Sequence, residues 1–561
     1  MSPLKSELEF EDLLADIGDY GKYQKRLIWV FLVPSAALLP WFSMNILFMV
    51  FTPDHWCNVP ELASSNLSIA AQRSITAPEG NSSCFRYDLN YTEVLMNERW
   101  HLKNDTPLVP CDRGWKYDDE HFDETAATKW NMVCERGHYS SMVMTLANVG
   151  SIIGTPIYGT LSDKIGRKPV FFLVIFVTAM TAISSVLMDN FTAFLVLRTI
   201  NGSLMPSVFQ LPFIILLELV GPTMRTRMNG ISNAAWTMGL CLMPLIAYVS
   251  REWVTFGLAT SSVSVLMFLY WKLLPESPRW LISREKYSEA TTVLTRIAET
   301  NGRSQDPAEL RMKIKKLGER IKKEKETEAS NTALDFLRYP NLRKKFIIVS
   351  FCWVADMFAY YGLQINVPNL GGNPFVNFFF LAFVEVPGLL CSWYAMERWG
   401  RRWSSVAFLT LTGSACVLAA MLEGIPYAAV ACSLVGKFGA SASFMAVYQQ
   451  SSELYPTTVR SIGMGMSGTF AGMANIIVPY IIFLAIFGKY IPFLVIGVVC
   501  ILAGMTAIML PETLDEILPQ TVHDAEVFGK DHKCFSCTGK HSSLESFEQE
   551  PSPKLLNDYV S

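Results

Sequence analysis

Three short signatures occur twice in this chain, in the same order, and that repetition restricts it to a duplicated architecture. The first copy reads Gly159-x-x-x-Asp163-Lys164-Ile165-Gly166-Arg167-Lys168, then Glu218-Leu-Val-Gly-Pro-Thr-Met-Arg225, then Pro275-Glu276-Ser277. The second reads Glu397-Arg398-Trp399-Gly400-Arg401-Arg402, then Glu453-Leu-Tyr-Pro-Thr-Thr-Val-Arg460, then Pro511-Glu512-Thr513. Asp163 and Glu397, Glu218 and Glu453, and Pro275 and Pro511 stand 234, 235 and 236 residues apart, so the spacing barely drifts. Two similar membrane halves facing each other across one cavity is the construction of alternating-access carriers, with substrate held near the midplane. A carrier is the expectation.

Apolar residues make up 51% of the chain and charged residues 17%, a balance too oily for a soluble protein of this length. Stretches of about 20 mostly apolar residues are long enough to cross a hydrocarbon core of about 30 Å. Twelve are predicted, at 27–51, 142–161, 169–188, 192–219, 230–250 and 254–274, then 346–368, 375–396, 404–423, 426–449, 463–486 and 489–510. The organisation read from them is an all-α membrane protein: a cytoplasmic segment 1–26, a six-helix half 27–274, a connector 275–345, a second half 346–510 and a tail 511–561.

The positive-inside rule gives the orientation. The connector is dense in Lys and Arg, as in Lys313-Ile-Lys315-Lys316 and Arg343-Lys344-Lys345, and the short turns 164–168 and 398–402 are basic, so all of these are placed in the cytoplasm. The segment 52–141 is acidic on balance, with Asp118-Asp119-Glu120, and is placed outside. It holds Cys57, Cys84, Cys111 and Cys134 and acceptor sequons at Asn66, Asn81, Asn90 and Asn104, which predict two disulfides and glycans in an oxidising compartment. Three pairings are possible. Asn201-Gly-Ser203 falls inside a predicted span and is expected to carry no sugar.

The polar, acidic segment 1–26 is not a cleavable signal, so the first span directs insertion and both termini are expected in the cytoplasm. The Ser-rich tail after Glu512 reads as disordered, and Cys534-x-x-Cys537 within it reads as a palmitoylation site or as nothing, in preference to a redox or metal motif. Tyr287, Ala290, Val293, Leu294 and Ile297 recur with helical period, which predicts short helices in the connector.

The repeated charges suit gating. Asp163 and Arg167 sit in a turn that can pair with Glu218 or Arg225 on a neighbouring helix end, and Glu397, Arg401, Glu453 and Arg460 repeat the set. Such contacts are expected to hold the inward side closed in one state and to break in the other. Topology alone accounts for the cations but not for the acids among them.

Together these signatures resemble the major facilitator superfamily over essentially the whole chain up to about residue 520. More narrowly, Phe51-Thr-Pro-Asp-His-Trp-Cys57, Cys111-Asp-Arg-Gly-Trp-Lys-Tyr-Asp118, Trp130-Asn-Met-Val-Cys134, Pro275-Glu-Ser-Pro-Arg-Trp-Leu281 and Glu453-Leu-Tyr-Pro-Thr-Thr-Val-Arg460 resemble the organic cation, organic anion and carnitine transporter family, solute carrier 22. The resemblance implies the major facilitator fold, with a large glycosylated extracellular loop between helices 1 and 2. It also implies polyspecific plasma-membrane transport of small charged organic molecules, and it places Phe209, Tyr360 and Glu385 in the binding cavity.

An ionisable group at bilayer depth costs about 2.5–3.5 kcal/mol on insertion scales, so each needs a partner or a wet cavity. Arg198, Asp356, Glu385 and Lys437 are the candidates. Arg198 and Lys437 hold nearly equivalent places in spans four and ten, as a structural and gating pair, with Asp356 or Glu385 as counter-charge for Lys437. Glu385 in Phe383-Val-Glu385-Val-Pro387 sits beside a proline that frees backbone groups, which points to a distorted helix beside a cavity. Trp236, Trp353, Phe358, Tyr360, Tyr361 and Phe209 offer ring faces, each attracting an ammonium by about 0.5–2 kcal/mol. Gln449 and Gln450 add uncharged polar groups at a similar depth.

One departure from the family matters. Where its cation carriers have an aspartate and its anion or carnitine carriers an arginine in span eleven, this chain has Gly472. The lysine of anion carriers in span eight is Leu389. Organic anions are thereby disfavoured. The reading is a carrier of small organic cations or zwitterions. An anion carrier of the same family and a non-transporting membrane receptor or scaffold are the alternatives. No cofactor, metal, nucleic-acid partner or enzymatic activity is expected, since no ligand cluster or nucleophile motif lies in the spans. Partners are the substrate and the bilayer, and the carboxylates do not choose between facilitated exchange, proton coupling and sodium coupling.

Overall fold

The computed structural model describes residues 10–65, 67–76, 83–97, 106–303, 305–327, 335–516 and 518–530. Among the described residues, twelve helices are long and apolar enough to cross a membrane: Lys22–Met49, Cys134–Ile165, Arg167–Val186, Phe191–Leu217, Arg227–Ser250 and Trp253–Trp271, then Pro340–Ile365, Pro374–Trp399, Arg401–Met421, Tyr427–Leu454, Arg460–Ile486 and Tyr490–Ala507. Local chemistry sets several of their starts. Pro222, Pro340, Pro374 and Pro426 open helices, where a missing N–H costs nothing. Asn190 and Asn373 cap the fourth and eighth spans, accepting from Thr192 N at 2.8 Å and Phe375 N at 2.9 Å.

The eighth span is broken. It runs as Pro374–Phe383 and Glu385–Trp399, interrupted at Val384, because Pro387 has no N–H to offer the carbonyl of Phe383. The distortion expected beside Glu385 is therefore present.

Between the first two spans the chain is not purely helical. His55–Cys57 pairs antiparallel with Trp115–Tyr117, and Phe85–Tyr87 with Leu108–Pro110. The spans are helical as expected, and these three-residue strands form only in the segment between the first two of them, where the backbone is satisfied in two-stranded ribbons. Disulfides Cys57–Cys111 and Cys84–Cys134, with Cα separations of 5.1 and 5.6 Å, resolve the three pairings. Of the sequons, Asn90 is described and exposed, while Asn66, Asn81 and Asn104 lie outside the described residues. Asn201 is buried and donates to the carbonyl of Thr178 at 3.2 Å.

The connector folds as helices Pro278–Ser283, Tyr287–Asn301 and Pro307–Thr327. They share one core with the first half: Ala290, Leu294, Ile297, Leu310 and Ile314 pack in the same cluster as Phe31, Phe171 and Ile215. The helix Phe10–Ile17 joins this core through Phe10, Leu13, Leu14 and Ile17. Asn301 locks the arrangement by donating to the carbonyls of Ile17 at 3.1 Å and Gly18 at 3.0 Å.

The tail differs from expectation. Residues 518–530 do not trail away; helix Val522–Val527 docks against the start of the seventh span. Glu526 accepts from Asn341 N and Leu342 N, each at 2.9 Å, and so caps that span. Lys345 adds a second hold, donating to the carbonyl of Ala525 at 2.8 Å. Cys534 and Cys537 lie outside the described residues.

We call the side carrying the disulfide-bonded segment the loop face, and the side carrying the connector and tail the basic face.

Candidate functional site

Halfway along the bundle, one ion pair joins the eighth and tenth spans. Lys437 Nζ lies 3.0 Å from Glu385 Oε1, and both residues are almost fully enclosed, at 0% and 3% exposure. The ammonium also donates to the carbonyl of Tyr360 at 3.1 Å and sits 3.4 Å from the centroid of the Tyr360 ring. Glu385 Oε2 accepts from Thr237 at 3.2 Å, and Trp236 Nε1 donates to the Tyr360 hydroxyl at 3.3 Å. Thr237 and Trp236 belong to the first half, the other members to the second, so the group lies at the seam between halves.

Rings extend the site. Phe209, 39% exposed, meets Trp236 edge-on at 6.1 Å. Phe444 contacts both Tyr360 and Trp353, at 6.3 and 5.9 Å, and the exposed Tyr448 contacts Trp353 at 5.8 Å. A strip of aromatic surface thus runs from Tyr360 toward the basic face.

Not every predicted residue reaches this group. Asp356 is buried between the seventh and tenth spans, hydrogen-bonded to Ser443, and does not meet Lys437; Glu385 is the counter-charge. Trp353 is buried, with its indole donating to Ser451 at 3.2 Å. Gln449 gives its amide to Glu453 at 2.7 Å, one turn along its own helix, so it belongs to the basic-face cluster instead. Gln450 accepts from Ser405 at 3.0 Å. Arg198 bonds Asn45 Oδ1 at 3.2 Å within the first half, over the Phe194 ring, and among the described residues it has no ion pair. It does not repeat the environment of Lys437, because no carboxylate in the first half occupies the place of Glu385.

At the basic face the duplicated signatures build two matching clusters. In the first, Arg167 lies 3.3 Å from Glu218 and 3.6 Å from Asp163, and Glu218 also bonds Ser277. In the second, Arg401 lies 3.3 Å from Glu453, which bonds Thr513. Sequence reasoning missed their centre. Glu276 accepts from the backbone N–H groups of Arg167 at 3.1 Å and Lys168 at 3.2 Å; Glu512 accepts from Arg401 at 2.7 Å and Arg402 at 3.2 Å. Each carboxylate therefore caps the third or ninth span at its positive end. Gly166 (φ 124°) and Gly400 (φ 87°) make the approach possible: a Cβ there would stand 2.5 and 2.4 Å from those carboxylates. Burial pushes the Glu276 carboxyl above its ordinary value, against the pull of these N–H groups. The signal was in the repeated Pro-Glu-Ser and Pro-Glu-Thr all along.

Arg225 pairs with Glu11 at 3.2 Å, not with Glu218, and Arg460 Nε donates to the carbonyl of Tyr455 at 3.2 Å. Glu397 is exposed. Every pair in the two clusters joins helices of one half. The expected pairing of Arg167 with Glu218 is present, and Arg401–Glu453 repeats it in the second half.

The halves meet toward the loop face. Ser141, Thr145 and Asn148 of the second span donate to the carbonyls of Pro479, Ile476 and Asn475 of the eleventh, each at 3.0 Å. Phe48 packs on Phe378 at 4.9 Å and Tyr248 on Phe375 at 5.6 Å, all nearer the loop face than Glu385. Toward the basic face, Gly159, Gly230, Gly465 and Gly468 on the second, fifth and eleventh spans have open space where a side chain would stand. These contacts between the halves lie on the loop-face side of the Glu385–Lys437 pair.

Twelve spans in two braced halves, with a charged and aromatic group at their seam, define a carrier of the major facilitator fold. The sugar (and other) transporter family matches residues 115–521. The inward-open xylose transporter XylE of E. coli superposes with a TM-score of 0.57 at 13% identity, covering 89% of this chain and 99% of that one. Among curated proteins, the carcinine transporter of Drosophila melanogaster is 34% identical over 96% of this chain and 82% of its own length. The β-alanine transporter of the same fly is 31% identical (98% and 94%), as is the human organic cation/carnitine transporter 2 (92% and 93%). The chain belongs to the organic cation/carnitine transporter family, solute carrier 22, of the major facilitator superfamily.

Proposed function

We propose that this protein carries small organic cations or zwitterions across the plasma membrane by alternating access, with the Glu385–Lys437 pair as its recognition centre. The single observation that supports this most is that pair, enclosed at the seam beneath Tyr360 and beside Trp236. A carboxylate and an ammonium 3.0 Å apart form a net-neutral acceptor and donor. An incoming amine competes for Glu385, and a substrate carboxylate has Lys437 to pair with, so a zwitterion satisfies both members. Aromatic faces at Tyr360, Trp236 and Phe209 accommodate the cationic end. Relatives named for carcinine, β-alanine, organic cations and carnitine support the same substrate class. In this reading the basic face is cytoplasmic, with both termini inside, and the form described is open inward. The two basic-face clusters keep each half rigid as it rocks.

Counterflow of labelled substrate in proteoliposomes tests the assignment, with sodium and pH varied to identify a coupling ion. Exchange of amines or zwitterions in preference to simple carboxylates is expected. Preference for carboxylates would favour an anion carrier, and no exchange with any of the three classes a non-transporting receptor.

Gly472 sets a second expectation. A Cβ at this position of the eleventh span meets only Ile152, at 3.7 Å, so a side chain fits. Gly472→Asp adds a second carboxylate to the seam without a second cation. Uptake of monocations relative to zwitterions is expected to rise several-fold, read as the ratio of the two initial rates.

A further inference from the structure

A cleft of about 450 Å³ opens at the basic face of the second half, far from the seam, between the start of the seventh span, the end of the twelfth and the docked tail helix. Its polar end gathers Lys344, Lys345, Arg402 and Lys530 around one carboxylate, Glu526. That carboxylate is already engaged by the N–H groups of Asn341 and Leu342, and lies 3.8 Å from Lys530. Lys345 is 3% exposed, and its ammonium donates to the carbonyls of Ala525 at 2.8 Å and Phe528 at 2.5 Å, which holds it in the wall. The other end is apolar, lined by Ile348, Ile508 and Met509; Met509 is 49% exposed, as is fitting for a surface at the edge of the hydrocarbon.

A site that is cationic at one end and apolar at the other, at the level where spans leave the membrane, matches an amphiphile with an anionic head. We propose that this cleft binds the phosphate headgroup of an anionic phospholipid from the adjacent leaflet, with its acyl chains along Ile348 and Met509. The apolar wall is the reason for choosing a lipid over a soluble phosphate. Because the cleft lies where the tail helix caps the seventh span, an occupied site would also hold that helix in place. Each Lys or Arg near an anionic headgroup adds to its binding, so losing two exposed cations is expected to weaken binding by about tenfold or more.

The test uses the full-length protein purified in detergent. Thermal unfolding is followed on titration with phosphatidylinositol 4-phosphate, with phosphatidylcholine and with soluble glycerophosphoinositol 4-phosphate, and native mass spectrometry counts retained lipid. The proposal expects the anionic lipid alone to raise the midpoint and to be retained by the wild type. Lys344→Ala/Lys530→Ala, and independently Lys344→Glu, should shift the titration to higher lipid concentration by about tenfold. Both lysines are exposed, so the variants should fold; their unfolding midpoints in lipid-free detergent verify it. Equal stabilisation by phosphatidylcholine, equal stabilisation by the soluble headgroup, or unchanged binding in both variants would overturn the assignment.

Discussion

Glu385→Gln is expected to abolish uptake of amine substrates, with a fall of at least about a hundredfold. Lys437 is completely enclosed and has Glu385 as its ion-pair partner, so the neutral amide leaves a buried ammonium uncompensated. Removing one member of a buried pair costs about 3–5 kcal/mol, and each 1.4 kcal/mol is about a factor of ten in an equilibrium. Some of that loss is stability, which surface expression measured beside uptake will reveal. The double variant Glu385→Gln/Lys437→Met separates the two contributions. With both charges gone and similar volume retained, the fold no longer carries an orphan cation, and expression is expected to recover. Uptake is not, because no carboxylate remains for the amine. A double variant that transports amines at the wild-type rate would remove Glu385 from recognition and leave it a purely structural residue.

Glu512→Ala is expected to be the most damaging change outside the seam. Its carboxylate is 8% exposed and accepts from the backbone N–H groups of Arg401, Arg402, Thr513 and Leu514. Leaving a buried donor unsatisfied costs about 1–3 kcal/mol, and here several donors at the start of the ninth span lose their partner together. A fall in unfolding temperature of several degrees and loss of most surface expression should follow. Glu512→Gln keeps one acceptor oxygen and is expected to recover part of the loss. Glu276→Ala, at the equivalent place in the first half, should behave in the same way, since it accepts from Arg167, Lys168 and Ser277. If the two alanine variants differ widely, the clusters are not equivalent braces, and the pseudo-symmetry of their geometry does not extend to their energetics.

Much of this was legible in the chain. Twelve helical spans follow from apolar runs of about 20 residues, because a helix satisfies its backbone within the run whereas barrel strands are shorter and alternate. The doubled signatures gave the two halves. The break in the eighth span followed from Pro387, and the connector helices from the period of Ala290, Leu294 and Ile297. What stayed hidden was partner choice. Asp356 and Glu385 were equal candidates for Lys437, and nothing in a linear sequence fixes how the seventh and eighth helices are rotated against the tenth. A rotation of one residue, about 100°, carries a carboxylate from the seam to the far side of its helix. Gln449 has a different reason: Glu453 lies four residues on, one turn along the same helix face, and takes its amide.

Glu512 and Glu276 show a different limit. Their signatures were visible as a repeat, yet a carboxylate that accepts from backbone N–H groups over a hundred residues away has no local mark, and charged partners drew attention to Arg401 and Glu453 instead. The tail helix was missed because its contacts, the Glu526 carboxylate on Asn341 and Leu342 and the Lys345 ammonium on Ala525 and Phe528, come from the distant seventh span.

By itself, then, the sequence determined the number of spans, their duplication, the cysteine-bearing segment between the first two and the list of ionisable groups that a membrane must accommodate. These are properties of hydropathy, period and composition, which each helix carries alone. The tertiary structure decided which cysteines join, which carboxylate meets Lys437, and which of the candidate partners each duplicated charge takes. Those outcomes depend on the rotation and contact of separate helices, and that information exists only once they pack.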